Sequence, residues 1–390
     1  MSVHDLTERD VYDSEHRDFA ESVAAFLRKQ VTPRVAEFEN AGMVPREIYR
    51  TAGELGMAGL QIPEEYGGGG QAGFLFNCVV TEQVAYERAT LGSLRVHTDV
   101  VTPYLLSLAT SEQRRRWLPG MASGELMTSI AMTESAAGSD LAGIKTSLER
   151  KGENWVLNGA KTFITGGAQS DLIVVVARSQ AARERRDGLT LAVVESSMNG
   201  FVRGAPLEKL GLKAQDTTEL FFDQVVIPPE NILGEPGRAF EYLSAHLAQE
   251  RLSIAVNSQA QAVAAHRITC DYVRDRRVFG AILGSFQNTK FVLAELAARI
   301  AAGQALVDRA MLRHEHGRLT LAEAAAVKLY CTELHGHVVD ACLQLHGGYG
   351  YTWEQDICRM YADARVARIY GGTSEVMKGI IARTLDLVER

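Results

Sequence analysis

The hydrophobic positions change their spacing twice along the chain. Over residues 14–40, Phe19, Val23, Phe26, Leu27, Val31, Val35 and Phe38 recur three or four apart, the period of one helix face. Asp13-Ser14 stands where a helix N-cap belongs, and Pro45 opens a second helix. Helical spacing returns over 74–90 and 105–118, so 1–128 predicts an all-helical first domain. After Met127 the texture changes. Trp155 and Leu157, then 172–176, 189–194 and 220–222, are rich in β-branched and aromatic residues and are bounded by Gly, Asn and Asp. They predict a small β-domain over 129–238, made of short strands rather than a parallel sheet with crossover helices. Residues 178–188, with four arginines, predict an exposed hairpin loop, and Pro228-Pro229 ends the β-rich part. From Ala239 the spacing is helical again. Long helices over 239–275, 284–316 and 321–345 give 239–390 the proportions of a bundle. The fold class is therefore α+β and multidomain: helical, then β, then helical.

Composition narrows the function classes. A chain of 390 residues, 46% hydrophobic with net charge −7, suits a soluble globular protein and carries no basic footprint for nucleic acid. Arg114-Arg115-Arg116 is the one tight basic run, and its helical setting predicts a solvated face. The five cysteines form no C-x-x-C pair, which predicts reduced thiols in a cytoplasmic protein and no metal site. No stretch approaches the ~18 apolar residues of a membrane span. Acidic residues over 1–21 argue against a secretory signal or a transit peptide. Gly68, Gly70 and Gly73 match G-x-G-x-x-G formally, but Pro63 and two glutamates precede them where a dinucleotide fold needs a strand.

Five stretches carry candidate chemistry. Ala131–Asp140 runs from apolar residues into Met132, Thr133, Gly138 and Ser139, offering hydroxyls and a backbone that an anion can approach. In Gly159–Thr165, Phe163 and Thr165 share one strand face, with Ile164 on the other. Then come Asp275-Arg-Arg-Val-Phe-Gly280 with Gln287, Gln344-Leu-His-Gly-Gly-Tyr-Gly350, and Thr373-Ser-Glu375. Together, in order and over nearly the whole chain, they resemble the acyl-CoA dehydrogenase family.

That resemblance implies FAD as cofactor. Met132, Thr133, Gly138 and Ser139 correspond to residues that contact the flavin pyrimidine and the pyrophosphate, Ser139 facing the phosphate or the substrate. Ser135 stands where most relatives have Pro. Phe163 corresponds to an aromatic, often Trp, that covers one flavin face. Ile164 flanks it, and Thr165 reaches N5, the atom that receives the hydride. Arg276 matches an arginine that reaches a pyrophosphate on the neighbouring subunit, Phe279 packs near the adenosine, and Gln287 follows. Gln344, Leu345, Gly347 and Gly348 match a further cofactor contact, and Thr373 and Glu375 the adenine end. Arg277 is expected to be solvated, and His346 to be a core residue without a role. A homotetramer, built as a dimer of dimers with FAD at the dimer interface, follows from the same likeness.

The base is the informative departure. Many relatives carry a glutamate where this chain has Gly371, ahead of Gly372-Thr373. Another branch, which includes long-chain and isovaleryl enzymes, carries it on the helix that opens the last domain, and here that position is Glu250. Leu243, Leu247, Glu250 and Ile254 are four, three and four apart, so the acid falls within an apolar stripe. The other reading of Glu250 is an ion pair, with Arg251 or another cation, that only stabilises the helix. Arg251 matches a family substrate-site arginine, and the backbone at Gly371–Gly372 would polarise the thioester carbonyl. The expected reaction converts acyl-CoA to trans-2-enoyl-CoA, with electrons passing to an electron-transfer flavoprotein. His97–Pro103, Gly211–Asp216 and the place of Glu250 are most similar to long-chain enzymes. Pro103 is expected to disturb the helix lining the acyl tail and so open the pocket. Three alternatives stay open: a branched or isoprenoid acyl-CoA substrate, an oxidase using dioxygen, and a flavin-binding assembly subunit without catalysis. The extra C-terminal domain usual in acyl-CoA oxidases does not follow Arg390, and the cofactor motifs argue against the inactive subunit.

Overall fold

A computed structural model of the chain describes residues 9–179 and 188–385. The segment read as an exposed hairpin loop, 178–188, falls mostly outside the described residues.

Helices come first: α1 Ser14–Phe26, α2 Val35–Ala41, α3 Arg46–Glu54, α4 Leu75–Tyr86, α5 Thr102–Leu108 and α6 Ser111–Ala122. Asp13 caps α1, its carboxylate accepting from the His16 N–H at 3.1 Å. Residues 105–118 are not one helix. The chain turns extended at Ala109, and Thr110 starts α6 with a capping box closed by Gln113. The glycines at 68–73 follow a short 3₁₀ turn, Glu64–Tyr66, with no strand before them.

The arginine run is mostly exposed, as its helical setting predicts, yet two of its members reach other elements. Arg114 donates to the Leu106 carbonyl at 2.5 Å. Arg116 pairs with Glu195 and donates to Asn231 Oδ1 at 2.9 Å. Arg115 and Arg116 both stay exposed, Arg115 beside Glu112, and Arg114 is half-buried. The run therefore ties α6 to α5 and to the sheet.

Strands follow: β1 Thr128–Ala131, β2 Ser147–Lys151, β3 Asn154–Thr165, β4 Leu172–Arg178, β5 Leu189–Glu195, β6 Phe201–Arg203, β7 Thr217–Ile227 and β8 Ile232–Leu233. They form one sheet in the order β6-β7-β3-β2-β4-β5-β8, with β1 alongside β4. Most pairings are antiparallel. The β1–β4 pair is parallel, reached through intervening strands rather than through a crossover helix.

Helices α7 Ala239–Asp275, α8 Gln287–Glu315, α9 Leu321–His346, α10 Asp356–Ala364 and α11 Ser374–Ala382 complete the chain. One apolar cluster joins Tyr104, Trp117, Val174, Leu191 and Leu243, fixing the start of α7 against both earlier parts. Another joins Phe74, Cys78, Leu252, Val256, Val307 and Cys331, packing α4 on the bundle. The segment around residue 250 is thus wedged where all three parts meet.

Candidate active site

Glu250 lies on the fourth turn of α7. Leu243 and Ile254 on the same stripe are buried, and Leu247 is half-buried. One carboxylate oxygen, Oε2, is sealed from solvent and meets no donor among the described residues. The other, Oε1, lies close to residue 371: a Cβ built on Gly371 would be 3.6 Å from it. The carboxylate therefore occupies the space a side chain at 371 would enter. Burial pushes its pKa up, and the opposing pull of Arg251, Lys328 and Arg95 does not cancel that. Arg251 is 5% exposed, and its Nε has no acceptor among the described residues.

The sequence around Pro103 builds the wall opposite. Val96–Val101 is a π-turn leading directly into α5, so Pro103 sits in the first turn of α5, where its missing N–H costs little. In an α-helix residue 103 would donate to the Asp99 carbonyl. Gln249 Nε2 donates there instead, at 3.0 Å. The helical run is thus irregular just before Pro103, where it passes from a π-turn into α5. Pro103 frees a carbonyl that anchors the residue before Glu250. The Asp99 carboxylate accepts from Asn77 (2.9 Å), Thr98 (2.8 Å) and Ser253 (2.6 Å). Arg95 donates to the Tyr370 hydroxyl at 3.1 Å, and Lys328 Nζ to the Gly372 carbonyl at 2.6 Å. The fully buried Tyr104 hydroxyl, whose electrostatic partner is Glu250, has no hydrogen-bond partner among the described residues.

The β-domain presents a second element of the site. Register slips between Lys161 and Ile164 where β3 pairs with β7. At that bulge Phe163 takes φ +59°, unusual for a side chain of its size. Its ring is 66% exposed while Ile164 is buried, so an aromatic face stands uncovered. Thr165 and Thr133 are half-buried beside it, and β3 is tied to the 131–140 turn by Thr162 N–H to Thr133 O at 2.9 Å. Gly138 and Ser139 are exposed. An unpacked aromatic face with hydroxyls at its rim fits a flat heteroaromatic cofactor.

What holds that platform was not legible as chemistry in the sequence. Lys161 is buried and donates to Glu134 Oε1 at 2.9 Å and to the Met132 carbonyl at 3.0 Å. Glu134 also accepts from the Lys145 and Thr146 N–H groups at 2.8 and 2.9 Å. Ser135, at the place usual for Pro, is exposed at the tip of this turn, which the paired Glu134 and Ala137 N–H···O bonds close at 3.0 Å.

The remaining nominated residues sit elsewhere. A cleft of about 460 Å³ is lined by Tyr272, Arg276, Leu345, Gly347, Gly348 and Tyr349 among others, none from the β-domain. The Arg276 guanidinium lies over the Tyr349 ring at 5.2 Å. Phe279 is 98% exposed, Gln287 opens α8, and Gln344 is exposed near the end of α9. His346 is buried, stacks on Tyr272 at 4.1 Å and shares a hydrogen bond with Thr269 through Nε2 at 3.2 Å, while its Nδ1 meets no partner among the described residues. Thr373 caps α11, accepting from the Val376 N–H at 3.3 Å, and Glu375 is exposed in its first turn. Along α7, Glu250 and Arg276 are about 39 Å apart at 1.5 Å per residue.

Family models then match the chain end to end: acyl-CoA dehydrogenase N-terminal domain over 13–125, middle domain over 129–225 and C-terminal domain over 237–385. The chain belongs to the acyl-CoA dehydrogenase family. It is thus an oxidoreductase of a family of flavoproteins that act in fatty acid metabolism. It is 43% identical over 383 residues to the mitochondrial long-chain specific acyl-CoA dehydrogenase of Sus scrofa, covering 98% of this chain and 89% of the relative. Among solved structures, an acyl-CoA dehydrogenase from Geobacillus kaustophilus superposes with TM-score 0.95 at 42% identity, covering 97% of this chain and all of that one. A Mycobacterium smegmatis glutaryl-CoA dehydrogenase in complex with FADH2 superposes with TM-score 0.88 at 25% identity, covering 96% and 95%. Among the described residues no helix is long and apolar enough to cross a membrane.

Sequence reasoning missed Arg95, Asp99, Glu134, Lys161 and Lys328. Lys328 alone left a signal. It is the single charge in the apolar run from Ala324 to Cys331, and a charge there calls for a partner.

Proposed function

We propose that the chain dehydrogenates acyl-CoA thioesters to trans-2-enoyl-CoA with Glu250 as the base. The carrying observation is the Glu250 carboxylate: Oε2 is sealed and meets no donor among the described residues, and Oε1 lies 3.6 Å from the position where a side chain at 371 would start. A carboxylate kept without donors and raised in pKa is suited to take a proton from a carbon acid. Phe163, Thr165, Thr133 and the 131–140 turn fit FAD. Bound there, FAD supplies the acceptor for the two electrons leaving the β-carbon. Backbone N–H groups at Gly371–Gly372 polarise the thioester carbonyl, and Arg251 adds positive charge beside it. Arg276 and Leu345–Gly348 line a separate cleft to which the β-domain contributes nothing, which supports their contacting, with Phe279 and Gln344, the cofactor of a second copy in a homotetramer made of two such dimers. Electrons leave to an electron-transfer flavoprotein.

Linear long-chain acyl-CoAs are the proposed substrates, supported by 43% identity to the porcine long-chain enzyme. Anaerobic bleaching of the flavin by acyl-CoAs of graded length and branching tests this. The highest kcat/KM is expected on long linear chains. A maximum at isovaleryl-CoA or a citronellyl thioester would move the substrate to branched acyl groups. A protein that binds no flavin would remove the cofactor assignment.

A further inference from the structure

We propose that Lys328 is a positioning residue for this reaction, holding the Tyr370–Gly372 loop against Glu250. The inference rests on the reading of Glu250 as base, and the variants below separate the two.

Lys328 is fully buried on the face of α9 that looks at the loop before α11. Its Nζ donates to the Gly372 carbonyl at 2.6 Å, the single hydrogen bond it makes among the described residues. That loop needs an anchor. Gly371 and Gly372 both hold positive φ, +63° and +95°, so no regular ladder fixes the peptide between them. At its start the Tyr370 hydroxyl accepts from Arg95 at 3.1 Å. At its end Ser374 Oγ donates to Glu333 Oε1 at 2.6 Å. Lys328 supplies the contact in the middle, on the carbonyl of the Gly372–Thr373 peptide, one residue beyond Gly371, whose Cβ position is 3.6 Å from Glu250 Oε1. Without it the loop backbone that meets the thioester carbonyl would drift relative to the base.

The ammonium also acts on the base through space. The charges around Glu250 are Arg251 from its own helix, Lys328 from α9 and Arg95 from the start of the π-turn that leads into α5. Asp99, already bonded by three side chains, and the Tyr104 hydroxyl complete the set. Around Lys328 itself stand Arg251, Glu250 and Glu333, and burial brings its pKa down to about 8. Removing a cation from that set favours the protonated base. A purely structural lysine would move folding alone, so the pH profile discriminates.

The test uses FAD-loaded Lys328→Met and Lys328→Arg, with Glu250→Gln alongside, in anaerobic stopped-flow reduction by a long-chain acyl-CoA from pH 5 to 9. Lys328→Met is expected to slow reduction at saturating substrate by about tenfold or more, as misplacement of a site element does. Its acid limb should move up by roughly one pH unit, with KM changed far less than kcat. Lys328→Arg keeps the charge, so its acid limb should stay at the wild-type position while the rate recovers only in part. Wild-type rate and profile in Lys328→Met would overturn the proposal, and so would equal slowing of both variants with an unmoved acid limb. If Lys328→Met does not accumulate folded, Lys328→Arg decides alone: a reduced rate with the wild-type acid limb supports positioning, and a wild-type rate overturns it. A fully active Glu250→Gln would instead remove the base assignment, whatever the lysine variants do.

Discussion

Glu134 and Glu250 are two glutamates withdrawn from water in one chain, and their surroundings are opposite. Glu134 accepts from Lys161 and from the N–H groups of Lys145 and Thr146. Burial alone would raise its pKa, but hydrogen bonds from Thr146, Lys161 and Lys145 outweigh it and hold the carboxyl below its ordinary value. Glu250 has cations near it, but no donor reaches its sealed oxygen, and burial wins. The first arrangement stabilises a charge that never changes. The second keeps a charge poised to be lost. A buried carboxylate is therefore diagnosed by whether its lone pairs are met, and the presence of nearby cations does not distinguish the two cases.

The sharpest break of this comparison is Glu250→Gln. Shape is kept and the proton acceptor is lost, so flavin reduction should fall roughly 10²–10⁴-fold. Stability should move the other way. Because the folded chain binds the Glu250 proton more tightly than the unfolded chain, that stabilisation is complete below the unfolded value near 4.5. It is lost as pH rises through the higher folded value. Glutamine carries no charge to bury, so its melting temperature at pH 8 should equal or exceed wild type. Near-normal turnover per bound flavin together with a lower melting temperature would make Glu250 a structural acid.

Glu134→Gln should invert both readouts. Its lowered pKa contributes stability above the unfolded value, which fades as pH falls through the folded one. Loss of the charge leaves the Lys161 ammonium buried with only the Met132 carbonyl, at a cost on the order of 2–3 kcal/mol. Thermal unfolding at pH 7 and pH 4 measures this: the deficit should be large at pH 7 and smaller at pH 4. Turnover per bound flavin should stay within a few-fold of wild type. A loss of chemistry without loss of stability would mean that the two glutamates are not separated in role.

Half of this comparison could be read from the chain. Glu250 sits in a local pattern, since Leu243, Leu247 and Ile254 mark the helix face, and Gly371 withdraws the alternative carboxylate. Helix phase is a property of neighbours in sequence. The Glu134–Lys161 pair joins residues from a turn and a strand that meet only in the folded domain, and no spacing announces it. For the same reason Lys328 and Gly372, or Asp99 and Gln249, have no joint signature. The break at Ala109 is hidden by apolar spacing that continues through it, although Thr110 with Gln113 spells a capping box. Pro103 was noticed, but its effect depends on the π-turn before it and on Gln249 from another helix.

The smallest expected effect tests whether a carboxylate could serve from the other side of the same space. Gly371→Glu combined with Glu250→Gln moves the acid to the loop. Two obstacles stand in the way. A Cβ at 371 would overlap the Ile254 Cδ1 methyl, and φ is +63° there. The overlap involves the far end of one flexible side chain, and Ile254→Val removes that methyl at roughly 0.5–1.5 kcal/mol. A left-handed residue other than glycine adds about 1–2 kcal/mol. The triple variant should therefore fold with reduced stability. Its flavin reduction is expected to be about tenfold faster than in Glu250→Gln with Ile254→Val, because the two side chains converge within 3.6 Å at the level of the 371 Cβ. Full recovery is not expected, since the new carboxylate approaches from the loop and lacks the sealed position of Oε2, so its pKa and angle both differ. Gly371→Gln in the same background carries the same strain without a base, and it controls for the backbone. If the glutamate and glutamine versions reduce flavin equally slowly, the two positions do not face a common carbon, and the enclosure of Glu250 has to be explained without reference to residue 371.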